Sequence, residues 1–312
     1  MDSKTTKKLI KIVLLVLVIS YTLDKLIFFG LNTISDKVMT GQSIGKLNQF
    51  LLVKDSVDIL VFGNSRANHH VDMNLFGKKS YNMGMDGTGI AYSSTLINTL
   101  SKDKEQLVIV HIDTKDFFSK NYNGKDINGL KTKFNRNVYI TDVLNKSNQI
   151  PFFQNIYYSI NYNGKIIGII KNFIRPGYNF LEYNGYDPLL VRDDQKEIRD
   201  LILAQKNTVD CESINEINSI ALSYLQSIKD FVENSNKEFI FVTSPTFNDP
   251  CEKDNKLLAK TLRELGLTYL DRSNLFANKN DNDLWKDKTH LSKKGAESFS
   301  INLKKELQKV IN

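Results

Sequence analysis

The sequence predicts a three-layer α/β domain with a mostly parallel sheet, preceded by one N-terminal transmembrane helix. Two observations predict this fold class. Short apolar runs rich in β-branched residues alternate with longer segments that have helical periodicity. A separate apolar run near the N-terminus is long enough to cross a bilayer. With 312 residues, 41% of them hydrophobic, the chain can bury one large core.

The N-terminal segment, residues 1–31, is predicted to be an uncleaved membrane anchor. Four lysines within residues 4–11 precede a charge-free apolar run, and the 23 residues from Leu9 to Leu31 can span a hydrocarbon core of about 30 Å. Because the lysines favour a cytoplasmic N-terminus, we expect the rest of the chain outside the cytoplasmic membrane. A cleaved signal peptide is the alternative, since residues 18–20 have small-residue character, but apolar character resumes at 26–29 and favours an anchor.

Residues 32–56 are predicted to form a short polar connector with helical pieces, and residues 57–312 to form the α/β domain. Apolar runs predict strands at residues 58–62, 80–83, 107–112, 238–243 and 267–270. Helical periodicity predicts helices at residues 90–100, 187–204, 214–234, 253–265 and 292–311. We expect the carboxyl ends of the parallel strands to share one edge, where ligands of such sheets bind.

An insertion at about residues 120–186 interrupts this alternation. Eight of the 13 tyrosines fall in residues 121–186, together with frequent Asn and Gly. The segment is too long for a simple loop and predicts helices of its own near the site. Its aromatic side chains either stack on sugar rings or form a tyrosine-rich satellite core, and the second role is the commoner one.

The candidate reactive group is Ser65, which follows the strand 58–62 and the sharp turn at Gly63. Taken alone, the hydroxyl could simply cap a helix. Far downstream, Asp287 and His290 are three residues apart, so one helical turn would place the carboxylate beside the imidazole. A serine needs a base that is itself oriented by a third group, and this pair supplies one.

Three glycines, Gly84, Gly87 and Gly89, follow the second strand and precede the helix predicted at 90–100. Such a loop lets backbone N–H groups face a ligand at a helix start, where an anion is favoured. A glycine-rich turn needed only for packing is the alternative. A nucleotide-phosphate loop is disfavoured because its motifs are absent.

These blocks resemble the SGNH (GDSL-like) hydrolase family in its membrane-anchored bacterial form. The matching blocks are Gly63-Asn64-Ser65-Arg66, Asn82-Met-Gly84-Met-Asp-Gly87 and Asp287-x-x-His290. The resemblance implies a flavodoxin-like fold, a catalytic set of Ser65, Asp287 and His290, and an oxyanion hole with backbone N–H groups of Ser65 and Gly87. Asn64, Arg66 and Asn82 are further candidate binding residues. The family's Gly-x-Asn-Asp block is replaced by residues 108–116, which leaves the asparagine oxyanion donor unassigned and Asn64 as a tentative replacement.

The resemblance also implies a function. Similar membrane-anchored proteins are esterases or O-acyltransferases that act on cell-surface polysaccharides or teichoic-acid-type polymers, without a cofactor. The same residues could pass the acyl group to water or to a glycan hydroxyl. The sequence therefore leaves both the esterase and the acyltransferase open. A non-catalytic glycan-binding or envelope-assembly protein is the alternative from another class, because one block is missing.

Composition excludes several other classes. The net charge of +7 is spread along the chain without a basic block or a nucleic-acid motif, so we expect no nucleic-acid partner. Cys211 and Cys251 have no metal-site spacing and either form one disulfide or remain unpaired thiols. Adjacent His69 and His70 point apart, so we predict no metal site. His111, within a strand, is predicted to be a buried core histidine.

Overall fold

A computed structural model of the chain describes residues 3–77, 79–206, 211 and 217–311, with the side chains of residues 310 and 311 left out. Five strands form one sheet in the order β2-β1-β3-β4-β5, and all their pairings are parallel. The strands are β1 (Ile59–Phe62), β2 (Ser80–Asn82), β3 (Gln106–His111), β4 (Lys237–Thr243) and β5 (Tyr269–Asp271). The five predicted strands and the α/β class are therefore confirmed.

The described part of the chain also contains twelve α-helices. They are α1 (Ser3–Lys37), α2 (Lys46–Val53), α3 (Ser65–His70), α4 (Ile90–Ile97), α5 (Thr114–Phe118), α6 (Val138–Lys146), α7 (Phe152–Ile156), α8 (Ile166–Ile174), α9 (Lys196–Ala204), α10 (Ser219–Glu233), α11 (Glu252–Glu264) and α12 (Lys293–Ile311). The helix predicted at 187–204 begins only at Lys196, because Pro188 disfavours a helical conformation at Asp187. The predicted residues 214–216 of the next helix lie outside the described residues.

The core lies on both faces of the sheet, because successive side chains of each strand point to opposite sides. Leu60 and Phe62 belong to one buried cluster, which includes side chains of α2, α4 and α10. Ile59 and Val61 belong to a second cluster with side chains of α12. Strands buried on both faces explain why these runs are continuously apolar.

Helix α1 is 35 residues long, or about 52 Å at 1.5 Å per residue. Its most apolar 18-residue window has a mean hydropathy of 2.2, and only 6% of that window is buried. By length and composition, α1 is the one helix among the described residues that could cross a membrane.

The segment predicted as a polar connector, residues 32–56, is more than a connector. Its first part continues α1 to Lys37, and α2 places Leu47 and Phe50 in the core beside the sheet, where they are 1% and 0% exposed. The polar composition of the segment conceals this apolar face, because the buried side chains are few and spaced by helical periodicity.

The insertion between β3 and α9 contains α5 to α8 and 3-10 segments at Lys125–Lys133, Tyr158–Tyr162 and Phe180–Tyr183. It packs against α1. Tyr162 and Ile169 form a separate buried cluster with Leu31, Val38 and Ile44. Tyr162 is fully buried there, so this tyrosine belongs to a satellite core and offers no face to a sugar.

Candidate active site

A tight turn between β1 and α3 positions Ser65. Gly63 has φ +146°, and a β-carbon there would lie 2.8 Å from the β-carbons of Ala67 and His111. The turn therefore requires glycine. Asn64, not Ser65, caps α3, because its Oδ1 accepts a hydrogen bond from the Arg66 amide at 2.9 Å. The Ser65 hydroxyl remains available for another partner.

That partner is His290, from a loop 225 residues downstream. Ser65 Oγ lies 2.9 Å from His290 Nε2, and His290 Nδ1 lies 3.0 Å from Asp287 Oδ2. A proton on Nδ1, facing the carboxylate, leaves Nε2 as the acceptor for the serine hydroxyl. The structure thus brings the three predicted catalytic residues together in the order that a serine nucleophile requires.

Asp287 and His290 are adjacent, but the predicted helical turn between them is wrong. They lie in a bend, in which the amides of Lys286 and Asp287 both donate to the His290 carbonyl. Asp287 Oδ1 also accepts from the amides of Thr289 and His290, each at 2.8 Å. Burial would raise the pKa of Asp287, but the bonds and charge of His290 and these amides lower it well below its usual range. The carboxylate is therefore ionised and held rigidly.

The glycine loop does not supply a helix start for an anionic ligand. Asp116 Oδ2 accepts from the Ile90 amide at 3.0 Å, and Asp126 Oδ2 accepts from the amides of Gly89 and Tyr92. Internal carboxylates thus occupy the N-terminus of α4, and this expectation from the sequence is wrong. No local pattern around the glycines indicates this, because both aspartates come from the segment after β3.

The predicted oxyanion donors, the amides of Ser65 and Gly87, remain open in the described part of the chain, since no acceptor there bonds either one. Gly87 is exposed, has φ +70°, and a β-carbon on it would meet no protein atom within 4 Å. Asn82 is not in the open site. It is fully buried, and its side chain bonds the backbone of Ala67, Val71 and Gly84.

Arg66 and Asp113 form a largely buried ion pair beside Ser65. Arg66 Nη1 lies 3.3 Å from Asp113 Oδ2, and Nη2 donates to the Ser244 carbonyl. The carboxylate stands after β3, where the resembling family carries its asparagine block. Burial would raise the pKa of Asp113, but Arg66 lowers it. Asn64 Nδ2 lies 3.5 Å from the same carboxylate. The side-chain amide of Asn64 therefore already has a partner, whereas a replacement oxyanion donor was expected to be free.

Sequence reasoning missed His70, which fastens the histidine loop to α3. The Leu291 amide donates to His70 Nε2 at 2.9 Å, and His70 Nδ1 lies 2.7 Å from Ser244 Oγ. Ser244 Oγ lies 2.9 Å from His111 Nε2, and His111 is buried as predicted. Burial lowers the pKa of both histidines, that of His111 to about 3, so both are neutral. The two adjacent histidines after Ser65 were a signal in the sequence that this position has a role. The bonds themselves join residues far apart in the chain, so only the tertiary fold reveals them.

His69 lies on the other side of α3 and is held by acidic partners. Its Nδ1 donates to the Asp187 carbonyl at 2.6 Å, and its Nε2 lies 3.1 Å from Asp86 Oδ1. Burial would lower the pKa of His69, but the hydrogen bond and charge of Asp86 raise it. The His69 ring centroid is 5.8 Å from that of His290. His69 and its acidic partners therefore lie beside the candidate base, His290.

A cleft of about 260 Å³ opens beside the triad. Its lining includes Arg66 and Thr289, the chain neighbours of Ser65 and His290, together with Lys115 and Lys288. A disulfide between Cys211 and Cys251 forms part of the wall, which resolves the pairing left open by the sequence. Asp254 lies near the two sulfur atoms, but sulfurs bound to each other are not thiolate ligands for a metal.

A scan against protein-family models finds no match to this chain, and a search of curated proteins finds none either.

Proposed function

We propose that this protein is a serine-dependent acyl ester hydrolase or O-acyltransferase of the SGNH type. The observation that carries the proposal is the hydrogen-bonded series Ser65 Oγ, His290 Nε2, His290 Nδ1 and Asp287 Oδ2, with contacts of 2.9 and 3.0 Å. The strand order supports it further. An order of 2-1-3-4-5 has its switch point between β1 and β3, and Ser65 follows β1 there. Helices on both faces fit the three-layer form of such a domain.

In the proposed reaction, Ser65 Oγ attacks the ester carbonyl carbon while His290 Nε2 takes the hydroxyl proton. Asp287 stabilises the imidazolium without accepting its proton. The amides of Ser65 and Gly87 hold the oxyanion, which collapses as His290 gives the proton to the departing alcohol. Water or a glycan hydroxyl then attacks the acyl-serine carbonyl carbon and gives its proton to His290, which returns that proton to Ser65 Oγ as the acyl–serine bond breaks.

The proposed substrate is an extracytoplasmic glycan or another acylated cell-envelope polymer. Two features support a location outside the cytoplasm, next to the cytoplasmic membrane. Helix α1 is long and apolar enough to anchor the domain, with lysines at its N-terminal end. The disulfide is of a kind that persists in oxidising compartments.

One observation favours a second function, a non-catalytic envelope protein that binds glycans or assists assembly. Asp113 stands where an asparagine amide would donate to the oxyanion, and its carboxylate is paired with Arg66. An ionised carboxylate accepts hydrogen bonds only, so it cannot stabilise an oxyanion. Such a protein would bind acylated polymer but form no acyl-serine intermediate.

A labelling experiment separates the two functions. The full chain in detergent is treated with a fluorescent serine phosphonate, and acetyl-ester turnover is measured with and without candidate glycan acceptors. We expect covalent labelling and turnover in the wild type and in the control Ser223→Ala, an exposed serine on α10, and neither in Ser65→Ala. Acceleration by a glycan, with acyl transfer to it, identifies the transferase. Equal labelling of the wild type and Ser65→Ala would overturn the catalytic proposal.

A further inference from the structure

We propose that helices α7 and α8 of the insertion lie in the outer leaflet of the bilayer crossed by α1, with lipid covering their exposed apolar side chains. We call this pair the foot, residues 152–174. The protein would then hold the membrane by one spanning helix and one lateral contact. The inference concerns the membrane contact alone and does not depend on the chemistry of Ser65.

Helix α8 turns its apolar face outward. Ile169 is 1% exposed and belongs to the cluster with α1, so it marks the inner side of the helix. On the outer side, Ile167 is 84% and Ile174 68% exposed, with Ile170 beside them, and the exposed Lys171 lies at the edge of this face. A helix on the surface of a water-soluble domain presents polar side chains outward. The arrangement in α8 instead suits an interfacial helix in contact with acyl chains.

Helix α7 also exposes two large aromatic side chains. Phe152 and Phe153 are 72% and 66% exposed, and α7 has no buried residue. Two adjacent exposed phenylalanines are typical of a surface that is covered by another phase or molecule.

The segment between the two helices is bonded to polar residues in the middle of α1. The Asp24 carboxylate accepts from the amides of Tyr158 and Ser159 at 2.8 and 2.9 Å, and Asp24 is 4% exposed. Lys25 Nζ donates to the Ile156 carbonyl and lies 3.5 Å from the centre of the Tyr158 ring. The segment between α7 and α8 is therefore fixed to α1 at the level of these two charged residues, whereas α8 packs closer to Leu31, at the outer boundary of the bilayer.

The length of α1 places that level inside the bilayer. If the hydrocarbon core begins after Lys11, the last of the N-terminal lysines, about 20 residues at 1.5 Å each carry it to Leu31. Asp24 then lies roughly 10 Å inside the outer boundary. Charged groups at such a depth are costly unless paired within the protein, and the foot supplies the partners of Asp24 and Lys25. The occupant is therefore lipid, continuous with the lipid around the exposed side chains of α1.

Site-directed fluorescence tests the foot. Single cysteines at Phe153→Cys, Ile167→Cys and Ile174→Cys in the full chain carry an environment-sensitive fluorophore, in vesicles of phosphatidylcholine and phosphatidylglycerol with or without doxyl-labelled lipid. The native cysteines are disulfide-bonded and stay unlabelled without reductant. The control is Ile301→Cys, at a position on α12 that is 47% exposed. The buried side chains of α12 pack on one face of the sheet, and those of α2 pack on the opposite face.

We expect doxyl lipid to remove roughly half or more of the fluorescence at the three foot positions, and little at Ile301→Cys, because only the foot would contact acyl chains. Equal quenching at all four positions would overturn the proposal. Protection from aqueous iodide without doxyl quenching would also overturn it, since a second protein copy and not lipid would then cover the foot. Turnover of an ester by the same preparations is measured separately, so a failed membrane contact is distinguishable from a failed catalytic assignment.

Discussion

At the scale of single residues, the reactivity assigned to Ser65 depends on its neighbours. An isolated serine hydroxyl is a weak nucleophile, and His290 activates it only in the tautomer that Asp287 selects. The bend from Asp287 to His290 satisfies the carboxylate with two backbone amides as well as the imidazole. In the proposed mechanism, the three side chains therefore act as one unit.

We predict that Ser65→Ala, His290→Ala and the double variant lose nearly the same catalytic activity. The base has no role without the nucleophile, so the two losses should not multiply. Asp287→Asn should lose less than Ser65→Ala, because Asp287 orients the imidazole and does not take its proton. The measurement is kcat/KM for an acetyl ester. Losses that multiply in the double variant would contradict a shared role.

A second prediction concerns His69 and the pH dependence of stability. Its pKa is raised above the ordinary 6.5 in the folded protein, chiefly by Asp86 once the opposing effect of burial is overcome. The stabilisation is therefore fully present below pH 6.5 and is lost as the pH rises through the raised pKa. From pH 6 upward, the free energy of unfolding should fall less steeply in Asp86→Asn than in the wild type.

The measurement for His69 is chemical unfolding of the full chain in detergent at a series of pH values. The control is Asp103→Asn, which replaces an exposed carboxylate in the turn before β3 and should keep the wild-type slope. Identical slopes in all three proteins would show that Asp86 does not hold the proton on His69.

The residues of the triad could be predicted from the sequence because each stands in a short local pattern: a serine after a strand and turn, and an Asp and His three apart. The roles of His70 and Asn82 could not. Both are set by partners distant in the chain, the Leu291 amide for one and backbone groups of α3 for the other. No local periodicity encodes such contacts.

At the scale of elements, turns and caps decide which groups can meet a ligand. The N-terminus of α4 is closed by Asp116 and Asp126, whereas the exposed turn at Gly87 remains open. Within this loop, the Gly87 amide is therefore the one predicted oxyanion donor. A comparison of substitutions at two matched glycines can test it.

We predict that Gly87→Ala keeps the backbone amide but adds a β-carbon that crowds the ligand beside it, and so lowers turnover by about 100- to 1,000-fold, the range seen when one oxyanion donor is lost. The control is Gly266→Ala, at the end of α11. Both glycines have similar φ values, +70° and +73°, and a β-carbon on either would meet no protein atom within 4 Å. The cost of the left-handed conformation, about 1–2 kcal/mol, should therefore be shared by both variants. Equal turnover in the two variants would remove Gly87 from the site.

The strands were predictable because burial on both faces makes them continuously apolar, whereas the insertion was only partly so. Its length and tyrosine content indicated helices and a satellite core, and Tyr162 has that role. The outward apolar face of α8 could not be read from the sequence, because periodicity reports that a helix has two faces but not which one meets the protein.

At the scale of the whole molecule, helix α1 and the domain form one continuous structure. Helix α1 extends eight residues beyond the apolar segment at Phe29, to Lys37, and the insertion packs along it. The disulfide joins the segment before α10 to the start of α11, on the side of the domain where the cleft opens.

We predict that the domain lies outside the cytoplasm and stays attached to the membrane. Protease added to intact spheroplasts should digest it, and a thiol-reactive polymer should modify Cys211 and Cys251 only after reduction, because an oxidising compartment maintains the disulfide. A cytoplasmic protein of known location serves as the protected control. Full protection from protease, or release of a soluble form lacking residues 1–20, would refute the anchor.

The buried lysine of α2 has a mechanical consequence. Lys46 is fully buried, and its Nζ donates to Asn68 Oδ1 on the nucleophile helix and to the carbonyl of Gly84 in the glycine loop. Burial lowers its pKa to about 7, against the opposing charges of Asp187 and Asp86. Only residues 38–45 separate α1 from this lysine. With α1 in the bilayer, Ser65 would therefore be held at a fixed distance from the membrane surface. It would reach only those parts of the cell envelope that lie at that distance.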